Sequence, residues 1–345
     1  MGLIPFKGLH LDEVHGALQA GGLLERGPLI AEQAYRGVHG QFAQRFSDIR
    51  GLSHRKVPRL EDTFSLDAIS LESVHGADDR SRRYVFRLRD GAVVESVLIP
   101  RHARWSLCVS SQAGCALGCQ FCATGMIGLK RNLEPWEIID QVLQVSRHAG
   151  VRVAGIVFMG MGEPLQNEVA VFQACRVLSC REGLQLSPRK IQISTAGVVP
   201  AIHRFAASDH RMDLVFSLVS AVPEKRAALM PIQKKYGFHD LLDAIRAYAD
   251  SRPKRHVTLE YIAIRGLTLG DDDIEAIQEH LVGFPFILNV IPLNPVAGSG
   301  LEAPGREEVR EWTERLRPLG FPVKVRFSAG QGRLAGCGQL GATLL

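Results

Sequence analysis

Four of the seven cysteines in this 345-residue chain fall within one run, CVSSQAGCALGCQFCATG, which begins at Cys108. Cys115, Cys119 and Cys122 are spaced C-x3-C-x2-C, with no fourth cysteine close behind. Three thiolates on so short a loop can hold three irons of a cubane [4Fe-4S] cluster and leave the fourth iron open to an outside ligand. The competing chemistry is a structural zinc site completed by Cys108, although closed zinc sites usually draw their ligands as two separated C-x2-C pairs. The tight spacing favours iron and sulfur, and the open iron is then the working position.

Other reactive residue types gather at the ends of apolar, strand-like runs. Gly160-Met161-Gly162-Glu163-Pro164 follows one of them. Glycines there let backbone approach a ligand at the carboxyl end of a strand, where βα folds bind. Ser194 ends KIQIS, Ser217 ends LVFS, and Asn294 lies just past FILNVIPL. Each is placed to face one common mouth or, more simply, to cap a helix. Cys337 sits in a glycine-flanked stretch, AGCGQL, whereas Cys175 and Cys180 read as small core residues on a helix. Alternation in VVESVLIP puts Val93, Glu95 and Val97 on one face of a strand, so Glu95 points either into a site or into solvent.

The cysteine spacing, with an aromatic residue directly before its last cysteine, resembles that of the radical S-adenosylmethionine superfamily. More narrowly, LCVSSQAGCALGCQFCATG, FMGMGEPLQN, QISTAG, LMPIQKKY, PLNPV and AGCGQL resemble, in order, stretches of the RlmN/Cfr family of ribosomal-RNA adenine methyltransferases. The resemblance implies a cluster on Cys115, Cys119 and Cys122 whose open iron chelates S-adenosylmethionine. It implies cofactor contacts from Gly162, Glu163, Ser194, Ser217, Leu218, Val219 and Asn294, with the Glu163 carboxylate facing the ammonium group. By the same resemblance Cys337 carries the methyl group, Cys108 resolves it through a transient disulfide, and Glu95 accepts the ring proton. Two departures accompany these matches. Where relatives have Ser-Leu-His-Ala this chain has Ser217-Leu218-Val219-Ser220, and Leu293 stands in PLNPV where the family commonly has Trp.

A C2 or C8 carbon of adenine is too poor a nucleophile to attack a sulfonium methyl group directly, so a radical route is required. The implied scheme uses two S-adenosylmethionine molecules per turnover, one to methylate Cys337 and one cleaved to a radical that activates that methyl group. Addition to the ring leaves a protein-RNA crosslink, which Cys108 opens by attacking the Cys337 sulfur. The expected target is C2 of a 23S rRNA adenosine, with C8 or a tRNA adenosine as alternatives, and the expected electron donor is a flavodoxin or ferredoxin. A non-catalytic, metal-stapled RNA-binding protein would have no need of Cys337, Glu95 or Glu163.

These residues need a frame. From about residue 153 onward, the β-rich runs VRVAGIVFMG, KIQIST, DLVFSL, HVTLEYIAI, FILNVIPL and VKVRFS alternate with helical patterns. That alternation predicts parallel strands joined by right-handed crossovers. About six βα units, counting one that opens near Trp105, predict an α/β fold with a partial (βα)6 barrel over residues 101–334; a doubly wound open sheet is the alternative. The first hundred residues read differently. The stretches HLDEVHGALQAGG and IAEQAYRGVHGQFAQRF, with a hairpin turning at Asp90-Gly91, predict a separate accessory domain over 1–100. Residues 335–345 are left as a C-terminal segment that carries Cys337.

Hydrophobic residues at 46% and charged residues at 22% argue against disorder. No stretch reaches the roughly 18 apolar residues of a membrane span, so a cytoplasmic protein without membrane attachment is expected. Seven cysteines are too few for a disulfide scaffold in a chain this long. A net charge of +5 permits an RNA partner without requiring one. LSHRKVPR, ADDRSRRYVFRLRDG, RHAR and KKY offer cations of the kind that track phosphates, and the N-terminal region is the expected RNA guide. A base held in folded RNA would have to be flipped out to reach the cluster.

Overall fold

The computed structural model describes residues 2–21 and 29–345. Gly22, with which the first expected helical stretch ends, lies outside the described residues. Near the N-terminus β1 (Ile4–Pro5) pairs in parallel with β2 (Phe64–Ser65), and α1 (Leu11–Ala20), α2 (Leu29–Tyr35) and α3 (Val57–Thr63) lie between them. An antiparallel meander follows: β3 (Ser70–Gly76), β4 (Arg82–Arg87) and β5 (Val93–Arg101). The β4–β5 turn falls at the expected Asp90-Gly91, with Gly91 at φ +82°.

β6 (Arg104–Cys108) is antiparallel to β5 and opens the parallel part of the sheet. Next come β7 (Gln112–Gly114), α4 (Ala123–Ile127), β8 (Leu129–Asn132) and α5 (Pro135–Ala149). The remaining parallel strands are β9 (Gly155–Phe158), β10 (Ile191–Thr195), β11 (Asp213–Val219), β12 (Val257–Ala263), β13 (Phe286–Pro292) and β14 (Val323–Val325). They are joined through α6 (Glu168–Ser179), α7 (Val199–Ala206), α8 (Pro223–Leu229) with α9 (Phe238–Asp250), α10 (Asp271–His280) and α11 (Arg306–Leu316).

The strand order is β14-β13-β12-β11-β10-β9-β6-β5-β4-β3. Each parallel strand lies beside its predecessor, so the crossovers all wind one way. A doubly wound sheet would reverse direction at a switch point, and this one does not. The sheet curls: Arg101 at the end of β5 lines the same cleft as Lys324 of β14 and Arg326 just beyond it. Past β14, the Gly330 amide donates to Asp79 in the β3–β4 turn at 2.7 Å, bringing the two ends of the sheet together. The result is the partial barrel of six βα units, closed off by a seventh parallel strand.

The boundary expected at residue 100 falls at the end of β5, inside the continuous ladder that joins the hairpin to β6. The N-terminal helices pack on the outer layer, where Phe6 meets Phe46 and Phe64 edge to face at 5.4 and 5.2 Å. Lys7 reaches the buried Asp140 of α5 at 2.6 Å. The other Asp140 oxygen accepts from the Ile69 amide at 2.8 Å and from Gln144 at 2.7 Å. Helix α5 starts where its sequence says it should: Glu134 caps it, Pro135 opens it, Glu137 bonds back to the Glu134 amide, and Gly150 ends it in the left-handed region. Arg131 grips both Glu137 oxygens and Asp90, holding the Asp90 carboxyl down to about 2 and fixing the β4–β5 turn against the barrel.

Candidate active site

Strand register decides which side chains look inward. Val97 of β5 sits opposite Cys108 of β6, Cys108 opposite Val157 of β9, and Val157 opposite Gln192 of β10, so these four share one face of the sheet. Glu95, two residues from Val97, is on that face too. Ser217 lies opposite Glu260, and Glu260 opposite Asn289, which continues the same inner surface across β11, β12 and β13.

At the carboxyl ends of the strands the inner surface opens into a cavity of about 930 Å³, mouth included. Its wall contains Cys115, Cys119, Cys122, Gly162, Glu163, Ser194, Ser217, Val219, Asn294 and Cys337. Ten of the thirteen residues singled out from the sequence therefore meet at one place. Leu218 instead points outward into the core, and it takes part through its carbonyl, which accepts from Arg226 at 3.0 Å. Cys108 and Glu95 lie on the inner face without lining this cavity. Cys108 is thus on a barrel strand and apart from the cysteine loop, so it does not complete a four-thiol zinc site.

The cysteine loop is bracketed by the short β7–β8 pair, Gln112 opposite Asn132 and Ala113 opposite Arg131. The GMGEP turn is zipped to the run that enters this loop: the Met161 carbonyl accepts from the Ser111 and Gln112 amides at 2.9 and 3.1 Å. Gly162 has φ +103°, and a Cβ there would fall 2.5 Å from the Gln112 side chain. Its glycine is demanded by this packing as well as by any ligand. All seven cysteines are free thiols. Burial pushes the Cys115 thiol up to about 12 and raises Cys119 and Cys122 as well. Holding three such thiols as thiolates takes the positive charge of bound metal. Among the described residues no three His, Cys, Asp or Glu side chains close round a point as they would round a single ion. Three soft thiols spread along one cavity wall suit the corners of a cluster better.

The Glu163 carboxylate accepts from the Ala196 amide at 2.8 Å and the Leu165 amide at 3.0 Å. Burial nevertheless lifts it to about 7. A buried carboxylate of this kind fits an ammonium group of the ligand. Ser194 and Ser217 lie 3.3 Å apart, hydroxyl to hydroxyl. Val219 ends β11 at φ +70°, beside a register shift relative to β12. The left-handed region is costly for a β-branched residue. Ser220 turns away from the cavity, donating to Asp273 at 3.2 Å, so its hydroxyl does not stand in for a polar side chain at Val219.

The C-terminal segment lies across the mouth and is tied down repeatedly. Asn294 donates to the Cys337 carbonyl at 2.7 Å and to Ser328 at 2.9 Å. The Gly338 carbonyl accepts from the Ala123 amide at 2.8 Å, and Thr124 donates to the Leu340 carbonyl at 2.7 Å, both at the start of α4 just past Cys122. Glu95 is fully buried. It pairs with Arg83 and accepts from the Gly341 amide at 3.0 Å.

Three residues that carry the site were not singled out from the sequence. Arg226, fully buried, donates to the Leu218 and Ala196 carbonyls and to Gln233, tying together the ends of β10 and β11. Glu260 lines the cavity, and Arg326 lies 3.7 Å from it. The visible signal for Glu260 was one carboxylate inside the apolar strand HVTLEYIAI. The basic runs are less available than they look. Arg83 is spent on Glu95, Arg87 on Glu72 and Arg89 on Asp67. Arg101 and Arg104 flank the turn between β5 and β6 and share a cleft with Arg189 and Lys190.

The profile of the Radical SAM superfamily matches residues 109–281. The chain is 41% identical over 312 residues to the dual-specificity RNA methyltransferase RlmN of Syntrophobacter fumaroxidans, covering 90% of this chain and 91% of the relative. It is 38% identical over 338 residues to the protein of that name from Geobacter sulfurreducens, covering 98% and 92%. Among solved structures, a radical SAM methyltransferase from Sphaerobacter thermophilus superposes with a TM-score of 0.92 at 34% identity, covering 98% of this chain and 99% of its own.

Proposed function

Because the chain belongs to the radical SAM superfamily and, within it, to the RlmN/Cfr family of RNA adenine methyltransferases, we propose that it methylates C2 of an adenosine in 23S rRNA by way of a methyl group carried on Cys337. It is an S-adenosylmethionine-dependent RNA methyltransferase, and the family implies a [4Fe-4S] cluster. The observation that carries the finer reading is the docking of Cys337 into the wall that also holds Cys115, Cys119 and Cys122. A segment built only for packing would not be held there by hydrogen bonds to three separate parts of the fold, Asn294 past β13, the start of α4 and Glu95 of β5.

The bound cluster and cofactor supply a carbon radical that makes the Cys337 methyl group reactive, and two equivalents of cofactor are required per turnover. The chain supplies the rest. Glu163 receives the ammonium group, and Gly162, Ser194, Ser217 and Val219 shape the remaining wall. Asn294 serves both sides, lining the cofactor cavity and holding the Cys337 carbonyl. Cys108, inside the barrel, attacks the Cys337 sulfur to release product. Glu95 accepts the ring proton, which requires its carboxylate to exchange the Arg83 and Gly341 contacts for one to the base.

A tRNA adenosine is a second substrate in this reading, in keeping with the dual specificity named for the relatives. The reductant is a flavodoxin or ferredoxin and the setting the cytoplasm; among the described residues no helix is long and apolar enough to cross a membrane. Mass spectrometry of 23S rRNA and tRNA from cells with and without the gene tests the proposal. Loss of a 2-methyladenosine supports it, and loss of an 8-methyladenosine instead moves the target to the other carbon.

A further inference from the structure

Below the cofactor cavity the barrel interior continues as a second cleft of about 1020 Å³, and Met159 and Glu260 line both spaces. Arg326 and Arg101 line the lower cleft. Arg326 lies just past β14, with its guanidinium 3.7 Å from the Glu260 carboxylate and its backbone held to Val290 at 2.8 Å. Glu260 Oε1 is buried without a hydrogen-bond partner. Oε1 is the oxygen that faces Arg326 at 3.7 Å, so that partner stands just beyond hydrogen-bond reach, and a buried carboxylate oxygen met only in this way commonly belongs to a working group. Cys108 sits on the inward face of the first barrel strand, in one row with Val157 and Gln192, and Gln192 lines the lower cleft.

Resting on the reading of Cys337 as methyl carrier, we infer that Arg326 and Glu260 form the device that turns Cys108 into a nucleophile, Arg326 as a positioning residue that holds the thiolate and Glu260 as the acceptor of its proton. The step balances within the site. Cys108 gives its proton to Glu260 through the water of the cleft, and the thiolate lone pair forms the bond to the Cys337 sulfur. The sulfur–carbon bond of the crosslink breaks with its electron pair left on the methylene carbon, which takes the proton from Glu260 and becomes the product methyl group. The two sulfurs are oxidised by two electrons and the carbon is reduced by the same two.

Cys108 needs such help. Burial first, and then the neighbouring charge of Cys337, push its thiol up to about 12, with Arg326 working against them and Glu260 adding to them. The charges that act on it are therefore those of Cys337 in the C-terminal segment, Arg326 beyond β14 and Glu260 in β12. Val97 and Val157 flank it on the neighbouring strands and do not titrate. Arg101 acts one step away, on Arg326 and Cys337.

The test is the pH profile of Cys108 alkylation by iodoacetamide in the cluster-loaded protein under anaerobic conditions, read on the Cys108 peptide by mass spectrometry. Arg326→Met should move the profile up by about one pH unit, making alkylation about tenfold slower at a fixed pH below it. Arg326→Lys, which keeps the charge, should stay within about threefold of wild type. With RNA present, Arg326→Met should hold a protein-RNA adduct at neutral pH and release it as pH rises. Superimposable alkylation profiles for wild type and Arg326→Met would overturn the inference. A shifted profile with no adduct in any variant would uphold the thiolate site and overturn the reading of Cys337.

Discussion

Glu95 accepts a hydrogen bond from the backbone amide of Gly341, four residues past Cys337, at 3.0 Å, while Arg83 occupies its other oxygen. The residue proposed for proton transfer thus also anchors the segment that carries Cys337, the proposed methyl carrier. Glu95→Gln should cost roughly 3–5 kcal/mol of unfolding free energy, because it leaves the buried Arg83 charge without its partner. Glu95→Gln with Arg83→Met should recover much of that loss in denaturant unfolding. A Glu95→Gln protein as stable as wild type would show that the carboxylate has only a chemical role.

The cysteine loop makes a prediction about metal. Anaerobically reconstituted protein should bind about four irons per chain, with the broad absorption of a cubane cluster. Cys119→Ala should lose both the iron and the cleavage of S-adenosylmethionine. Stoichiometric zinc in a colourless wild-type protein would be incompatible with the site described above.

Cofactor affinity should depend on pH through Glu163. Its carboxyl sits near 7, above its ordinary value, because it is buried. In the empty fold the charged form is therefore a burden: the stability associated with the neutral form is full below the ordinary carboxylate value and is lost as pH rises toward 7. Binding an ammonium group needs that charged form. Affinity for S-adenosylmethionine, measured by calorimetry, should rise roughly tenfold between pH 6 and pH 8, and Glu163→Gln should flatten the dependence.

Val219 holds a left-handed backbone at the position where the resemblance leads one to expect an imidazole. Histidine tolerates that region better than a β-branched residue does. An added hydrogen bond to the ligand is worth roughly 0.5–1.5 kcal/mol, so Val219→His should tighten cofactor binding by up to about tenfold. The methylated carbon should stay the same. Unchanged or weaker affinity would mean that the cavity has been rebuilt around valine.

The parallel strands were legible because each is a short β-branched, apolar run bounded by helical periodicity, and that pattern is local. The cysteine loop and GMGEP were legible because their residue types leave few other uses. What the sequence concealed is set by tertiary contact. The β7–β8 pair is too short and polar to show a period, and its partners are found only once the loop closes. Arg226 looks like any helical arginine until its three acceptors are in place. Nothing in YVFRLRDGAVVESVLIP indicates that the hairpin continues a parallel sheet, since its edge pairs only with β6, the first barrel strand. Asn294 was legible as a polar residue at the mouth, but its bond to the Cys337 carbonyl joins two stretches that no local pattern connects.

The bonds that dock the C-terminal segment span 216 residues at Thr124 and 246 at Glu95. During synthesis the cysteine loop leaves the ribosome while the thiol that will cover it is still unmade. At about 5–20 residues per second that interval is roughly ten to forty seconds. The wall of the cavity runs on as far as Asn294, so only between that residue and Cys337 is the wall made on every side but the last. The last residues therefore complete the wall of the cavity after every other part of it has been made.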